Sequence, residues 1–336
     1  MPKTSLPKQL RKVADKQLIA KLEAGLELVE EQLIEAVKHT DPIAKVTTRH
    51  LIDAGGKRIR PTLVLLCAQL GNPSEEQVIQ AAVVVELTHI GTLYHDDVMD
   101  DAPRRRGVEA AHEIWGNNIA ILTGDLLFAR ASQLVSKLGQ KALTLQADTF
   151  ERLCLGQLHE TVGPQEGEDP IDHYLSVLAD KTGSLISASA ELGVLFSGAD
   201  ESLREPVRKF GEAIGVAFQL IDDVIDIYSD GKLSGKTPGT DLRAGVPTLP
   251  VLYLRQDAIH DGSSARLVAI IDKGLDDDAV LGEVIEKMRL HPATERAFQE
   301  AKRWAEEAKA ALVDLPEGPV REALTNFADA VIERQN

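Results

Sequence analysis

Six aspartates, held in two matching segments, carry the clearest chemistry in this chain. His95-Asp96-Asp97-Val98-Met99-Asp100 and Ile221-Asp222-Asp223-Val224-Ile225-Asp226 both read Asp-Asp-x-x-Asp, and each closes a run rich in apolar residues. On a helix, residues i and i+4 share a face and i+1 lies beside them. The spacing therefore predicts one carboxylate stripe from Asp96, Asp97 and Asp100 and another from Asp222, Asp223 and Asp226. Like charges at that spacing repel, and a hard dication with oxygen ligands, Mg²⁺ above all, would remove the conflict. A pair of solvated helix ends is the plainer alternative, and the recurrence of the motif argues against it. Each stripe extends backwards by about two turns, to His89 before Asp96 and to Gln219 before Asp226. Taken alone, His89 would read as a satisfied core histidine; its alignment with the aspartates gives it an equal claim to a functional role.

Positive charge is gathered in two places. Gly55-Gly56 precede Lys57-Arg58-Ile59-Arg60, and Arg104-Arg105-Arg106 precede Gly107 just past the first aspartate stripe. Glycine lets backbone N–H groups approach a phosphate, and arginine grips its oxygens with parallel hydrogen bonds. Dications and arginines together could hold a diphosphate. Arg58 and Arg104 read as surface charge and are left outside the site. The segment Gly231–Thr237 imitates a phosphate-binding loop but is one residue short between its glycines and follows a helical pattern. Its Lys236 remains of interest, since it follows the second stripe in a loop able to close over an anion.

The elements that position these groups are helices. Leu, Ile and Val recur at three- and four-residue spacings over 9–38 and again over 61–70, 75–101, 118–138, 140–160, 170–198, 202–228, 246–256, 264–272, 277–289, 293–312 and 319–333. Asp41-Pro42, Gly71-Asn72-Pro73, Gly163-Pro164, Gly198 and Pro316–Pro319 punctuate them. Alternating β-branched runs are scarce and no linker divides the chain, so the expectation is one all-α domain over residues 1–336. The 336 residues, 43% apolar and 27% charged, suit one large core. A net charge of −16 argues against nucleic acid or an anionic membrane as partner. No signal peptide is visible behind the basic N-terminus, and no uncharged apolar run is long enough to span a membrane. Two cysteines, Cys67 and Cys154, point to a reducing compartment, and the cytoplasm is the expected location.

Six ordered blocks resemble the trans-isoprenyl diphosphate synthase (polyprenyl synthetase) family: GGKRIRP (55–61), ELTHIGTLYHDDVMD (86–100), RRG (105–107), KTG (181–183), FQLIDDVID (218–226) and GKTPGTDL (235–242). The resemblance implies an all-α helical bundle around a deep central cavity, the isoprenoid synthase fold, and a homodimer. It implies that Lys57, Arg60, His89 and Arg106 hold isopentenyl diphosphate. Asp96, Asp97, Asp100, Asp222, Asp223 and Asp226 would bind Mg²⁺, about three ions, that clamp an allylic diphosphate. Arg105, Lys181, Thr182, Gln219 and Lys236 would complete that second anion site. The allylic C–O bond ionises, the homoallylic double bond attacks the cation and a proton is lost, in a site that excludes water.

The family commonly places a proline two residues after RRG, whereas Val108-Glu109-Ala110 follow here. Family members with short products often carry a bulky aromatic just before the first aspartate, where this chain has Gly91 and Thr92. Small side chains there imply an open cavity and a long all-trans product, about C30–C50, of the kind used for quinone side chains. Tyr94 would be cavity wall. A geranylgeranyl diphosphate synthase and a subunit of a heteromeric synthase are the alternatives. A class I terpene cyclase is disfavoured by the second Asp-Asp-x-x-Asp segment.

Overall fold

The structure, a computed structural model, describes residue 6, residues 15–228 and residues 238–333. Lys236, most of the loop around it and the first residues of the 9–38 pattern lie outside the described residues. The rest is helical apart from a two-stranded hairpin, as the periodicity predicts. The helices are grouped into two compact units, each gathered from three stretches of chain.

The first unit takes its described residues from Met1–Glu151, Leu185–Gly211 and Ala311–Phe327. It opens with α1 (Lys16–Ala36), α2 (Pro42–Asp53), α3 (Ile59–Ala68) and α4 (Glu75–Met99). Leu18, Leu22, Leu26, Val29 and Leu33 form the buried face of α1 at the expected spacing. Helix α4 is apolar on every side from Ala81 to Leu87 except at Glu86, and all of these residues are buried, as befits a central helix. It packs most extensively on α6 (Asn117–Val135), and also on α1 and α3. Between α4 and α6 lie β1 (Arg104–Arg105), β2 (Val108–Glu109) and the short α5 (Ala111–Trp115).

Helix α2 is absent from the sequence periodicity. Asp41-Pro42, read there as punctuation, is its start: the Asp41 carboxylate accepts the N–H groups of Ile43 (2.9 Å) and Ala44 (2.8 Å), and Pro42 needs no partner in the first turn. Its buried side chains include Thr47 and Thr48 beside Leu51 and Ile52, so no clean apolar stripe announces it.

The second unit takes its described residues from Arg152–Ser184, Glu212–Ala310 and Ala328–Asn336. Its five boundaries with the first all fall within helices, α7 (Gln140–Val162) and α10 (Arg204–Tyr228) among them. Helix α8 (Pro170–Leu178) runs through a five-residue π-helical turn, Ala179–Gly183, into α9 (Ser184–Leu195). Beyond α10 come α11 (Thr240–Arg243), α12 (Leu249–Ala258), α13 (Gly262–Ile271), α14 (Asp278–Leu290), α15 (Pro292–Ala311) and α16 (Pro319–Ile332). Ile227, Leu254, Leu267, Val284 and Met288 are among the residues of its core.

Candidate active site

In the first unit, the end of α4 carries Asp96, Asp97 and Asp100. The three differ in exposure. Asp96 and Asp100, one turn apart, stay accessible. Asp97 is rotated inward and is 1% exposed. Its Oδ1 accepts from Arg105 Nε at 2.6 Å, while its buried Oδ2 has no hydrogen-bond partner. Burial raises the Asp97 carboxyl above the usual range, and Arg105 opposes that rise.

Arg105 and Arg106 are aimed by the hairpin. Arg105 pairs with Val108 across a two-residue turn, and both turn residues have left-handed backbones (φ 53° at Arg106, 82° at Gly107). This is the type I′ geometry that suits a twisted hairpin, with Gly107 where glycine is favoured. The missing proline therefore leaves a well-formed turn. Arg106 donates to the Leu51 carbonyl (2.8 Å) and to Glu86 (3.4 Å). Its guanidinium lies against Gly56, where a Cβ would stand 2.9 Å from Cζ. A side chain at position 56 would displace the guanidinium from that position.

Glu86 organises the cations and was not singled out by the sequence reading; a lone acid inside the run VVVELTHI was the available signal. It accepts from Arg58 at 2.6 Å, and Arg58 also donates to Glu30 at 2.5 Å. Arg58 is 2% exposed, so its reading as surface charge is corrected: it is a buried tie between α1, α3 and α4. Arg104 is exposed, as expected. Arg60 is half-buried; desolvation brings its guanidinium down to about 10, against the pull of Glu86. His89, half-buried on α4, is held well below its ordinary value by burial and then by Arg60, Arg106, Arg58 and Arg105. It is a neutral imidazole among guanidiniums. Lys57 is exposed beside them in the chain.

Gly91 and Thr92, the residues expected to leave the cavity open, lie on α4 with Phe128 of α6 beside Gly91. A Cβ on Gly91 would meet the Phe128 ring at 3.0 Å, and Phe128 stacks at 4.6 Å on Phe150. Thr92 donates its hydroxyl to the His89 carbonyl at 2.8 Å. Tyr94, expected as cavity wall, is 0% exposed and its hydroxyl donates to the Thr47 carbonyl, fastening α2 to α4.

In the second unit, α10 presents Gln219, Asp222, Asp223 and Asp226. The pattern of the first unit recurs: Asp222 and Asp226 are partly accessible, and Asp223 is buried. Asp223 accepts from the Tyr174 hydroxyl at 2.5 Å, and desolvation holds its carboxyl well above the usual range. Asp226 accepts the N–H groups of Thr240 and Asp241, each at 3.1 Å, at the start of α11. Lys181 and Thr182 sit in the π-helical turn, a distortion often found at functional sites. Arg152 pins that turn through Asp180 (2.7 Å) and Glu212 (3.1 Å), and Lys181 pairs with Glu160 at 2.5 Å. Sequence reasoning missed Tyr174 and Arg152, whose spacing to the aspartates carries no signal.

An all-α chain with two aspartate-tipped helices and a partly buried arginine cluster is of the isoprenoid synthase class. A family profile described as Polyprenyl synthetase matches residues 41–288, and the chain belongs to that family. It is 43% identical to the nonaprenyl diphosphate synthase of Mycobacterium tuberculosis over 323 residues, 96% of both chains. Among solved structures it is similar to the geranylgeranyl pyrophosphate synthase of Corynebacterium glutamicum complexed with calcium and isoprenyl diphosphate. That likeness has a TM-score of 0.86 at 41% identity and covers 96% of this chain and 98% of that one. A decaprenyl diphosphate synthase from Rhodobacter capsulatus gives a TM-score of 0.83 at 34% identity, covering 95% of this chain and 99% of that one.

Proposed function

We propose that the chain condenses isopentenyl diphosphate with an allylic diphosphate to build a long all-trans polyprenyl diphosphate, about C30–C50. The observation that carries this reading is, in the first unit, a neutral histidine inside an arginine cluster, on the helix whose end carries Asp96, Asp97 and Asp100. Lys57, Arg60 and Arg106 hold the diphosphate of isopentenyl diphosphate, and neutral His89 donates a hydrogen bond to it without losing its own proton. Arg105, Lys181, Thr182 and Gln219, with Lys236 outside the described residues, are the residues assigned to the allylic diphosphate.

The residues fit a hard dication. The six aspartates offer only oxygen donors, and Asp97 Oδ2 is a buried acceptor with no hydrogen-bond partner. Asp96, Asp97, Asp100, Asp222, Asp223 and Asp226 would hold Mg²⁺, which supplies Lewis-acid neutralisation of the departing diphosphate. The allylic C–O bond ionises, the isopentenyl double bond attacks the carbocation, and the departed diphosphate takes up the proton whose loss restores the alkene. The cationic side chains stabilise the diphosphate charge as it develops.

A second reading, a geranylgeranyl-length product, is favoured by Phe128, which fills the space beside Gly91. Incubation with isopentenyl diphosphate, an allylic primer and Mg²⁺ separates the two. Products of at least C30 are expected; a stop near C20 would establish the second reading, and no elongation would sink both. Helix α6 supports a homodimer. The segment Asn117–Leu138 is apolar enough to cross a membrane by length and composition, yet only 33% of its most apolar window is buried. Its accessible face, with Ile121 and Leu122 beside charged Asp125, suits a second copy of the chain better than lipid. Sedimentation at micromolar concentration is expected to give twice the chain mass. Cys67 and Cys154 are unpaired thiols, in keeping with the cytoplasm.

A further inference from the structure

From a cluster outside the aspartate motifs we infer a second metal site, formed by Asp101, His112 and Glu113, that takes a first-row transition dication such as Zn²⁺ or Mn²⁺.

His112 is 7% exposed, and neither ring nitrogen has a hydrogen-bond partner. A buried imidazole is expected to satisfy at least one nitrogen, so the pair of orphans needs an explanation. Nε2 points at two carboxylates, 3.4 Å from Glu113 Oε1 and 3.8 Å from Asp101 Oδ1. One ligand atom from each of the three residues lies within 4.8 Å of the others, and Asp96, Asp97 and Asp100 are not part of that group. Donors about 2.0–2.1 Å from a tetrahedral ion stand ~3.3–3.4 Å apart, so the set needs little adjustment to close on a metal. The Asp101 side chain, 96% exposed, has room to make it.

The backbone delivers these groups together by a route the aspartate motif does not explain. Asp101 follows the end of α4 with a left-handed backbone, φ 49°. The hairpin then closes with Ala110 N–H on the Pro103 carbonyl at 3.0 Å, which returns the chain and sets His112 opposite Asp101. One imidazole with two carboxylates selects against Mg²⁺, which prefers oxygen and water, and suits transition dications. An ion there would tie the end of α4 to α5 and so clamp the hairpin that aims Arg105 and Arg106.

The test uses Mn²⁺ with the full-length protein and no diphosphate, read by pulsed electron paramagnetic resonance. A nitrogen coupling from one imidazole is expected in the unaltered protein, displaced by Zn²⁺. It should persist in Asp96→Asn with Asp222→Asn and vanish in His112→Gln. Should His112→Gln fold poorly, the exposed pair Asp101→Asn with Glu113→Gln serves instead. That variant should weaken Mn²⁺ binding beyond the roughly 10- to 100-fold typical of losing an outer partner. Absence of nitrogen coupling in the unaltered protein, its survival in His112→Gln, or unchanged affinity in the carboxylate variant would each overturn the site. An imidazole merely packed beside two acids is the reading left in that case.

Discussion

The two aspartate segments split into the same two roles. The first and last acids of each lie one turn apart on an accessible face, while the second is rotated by about 100° into the protein. Asp97 meets Arg105 there and Asp223 meets Tyr174. Asp96→Ala or Asp222→Ala should therefore lower turnover by orders of magnitude with little change in melting temperature. Asp223→Ala should lose turnover and also destabilise by about 1–3 kcal/mol, because the Tyr174 hydroxyl is left buried without its acceptor. Denaturant unfolding beside the activity assay distinguishes them; equal stability across the three variants would refute the division. His89 gives a pH signature. Its folded-state value is depressed, so below the unfolded value of about 6.5 the unfolded chain binds a proton that the native chain refuses. Stability contributed by neutral His89 is present above that pH and is lost as pH falls, at about 1.4 kcal/mol per unit. Replacing His89 with Gln should flatten that slope between pH 6.5 and 5.5 (an unchanged slope would place the proton elsewhere).

Helix crossings decide what single residues cannot. Gly91 on α4 and Gly124 on α6 face each other closely, with a Cβ on Gly124 falling 3.1 Å from the Gly91 carbonyl oxygen and 2.4 Å from His95. The smallness of Gly91 thus serves the packing of α4 on α6 and the seating of Phe128. Gly91→Leu should destabilise by about 1–3 kcal/mol through overpacking. If Gly91 instead faced open space, the variant would keep its melting temperature and only shorten the product. Residue spacing made the α-helical class, most helices and both aspartate-bearing helix ends legible. It could not show α2, whose buried threonines blur the stripe, nor the type I′ hairpin, whose only cue was Gly107. Nor could it show that Arg58 is buried, since its partners Glu30 and Glu86 are each 28 residues away in the chain. Periodicity reports which face of a helix is apolar, not what fills the space beside it.

The whole chain carries a surplus of acid, −16, yet its arginines Arg58, Arg60, Arg105 and Arg106 are concentrated against one another in the first unit. Net charge thus speaks to nucleic acid but not to a diphosphate, whose site is set by local concentration. Connectivity has a consequence of its own. Each unit is assembled from three separate stretches, and the chain passes between them five times, each time within a helix rather than through a loop: in α7 at Glu151, α9 at Ser184, α10 at Gly211, α15 at Ala310 and α16 at Phe327. Neither unit can melt alone without breaking those helices, whose cooperative hydrogen bonding resists a break in mid-course. Residues 1–336 should therefore unfold as one domain, in a single calorimetric transition whose van't Hoff enthalpy matches the measured one. A fragment of residues 1–151 lacks the Leu185–Gly211 and Ala311–Phe327 stretches of its own unit and should not fold by itself. Two resolved transitions, or a folded 1–151 fragment, would show instead that the units are independent domains sharing continuous helices.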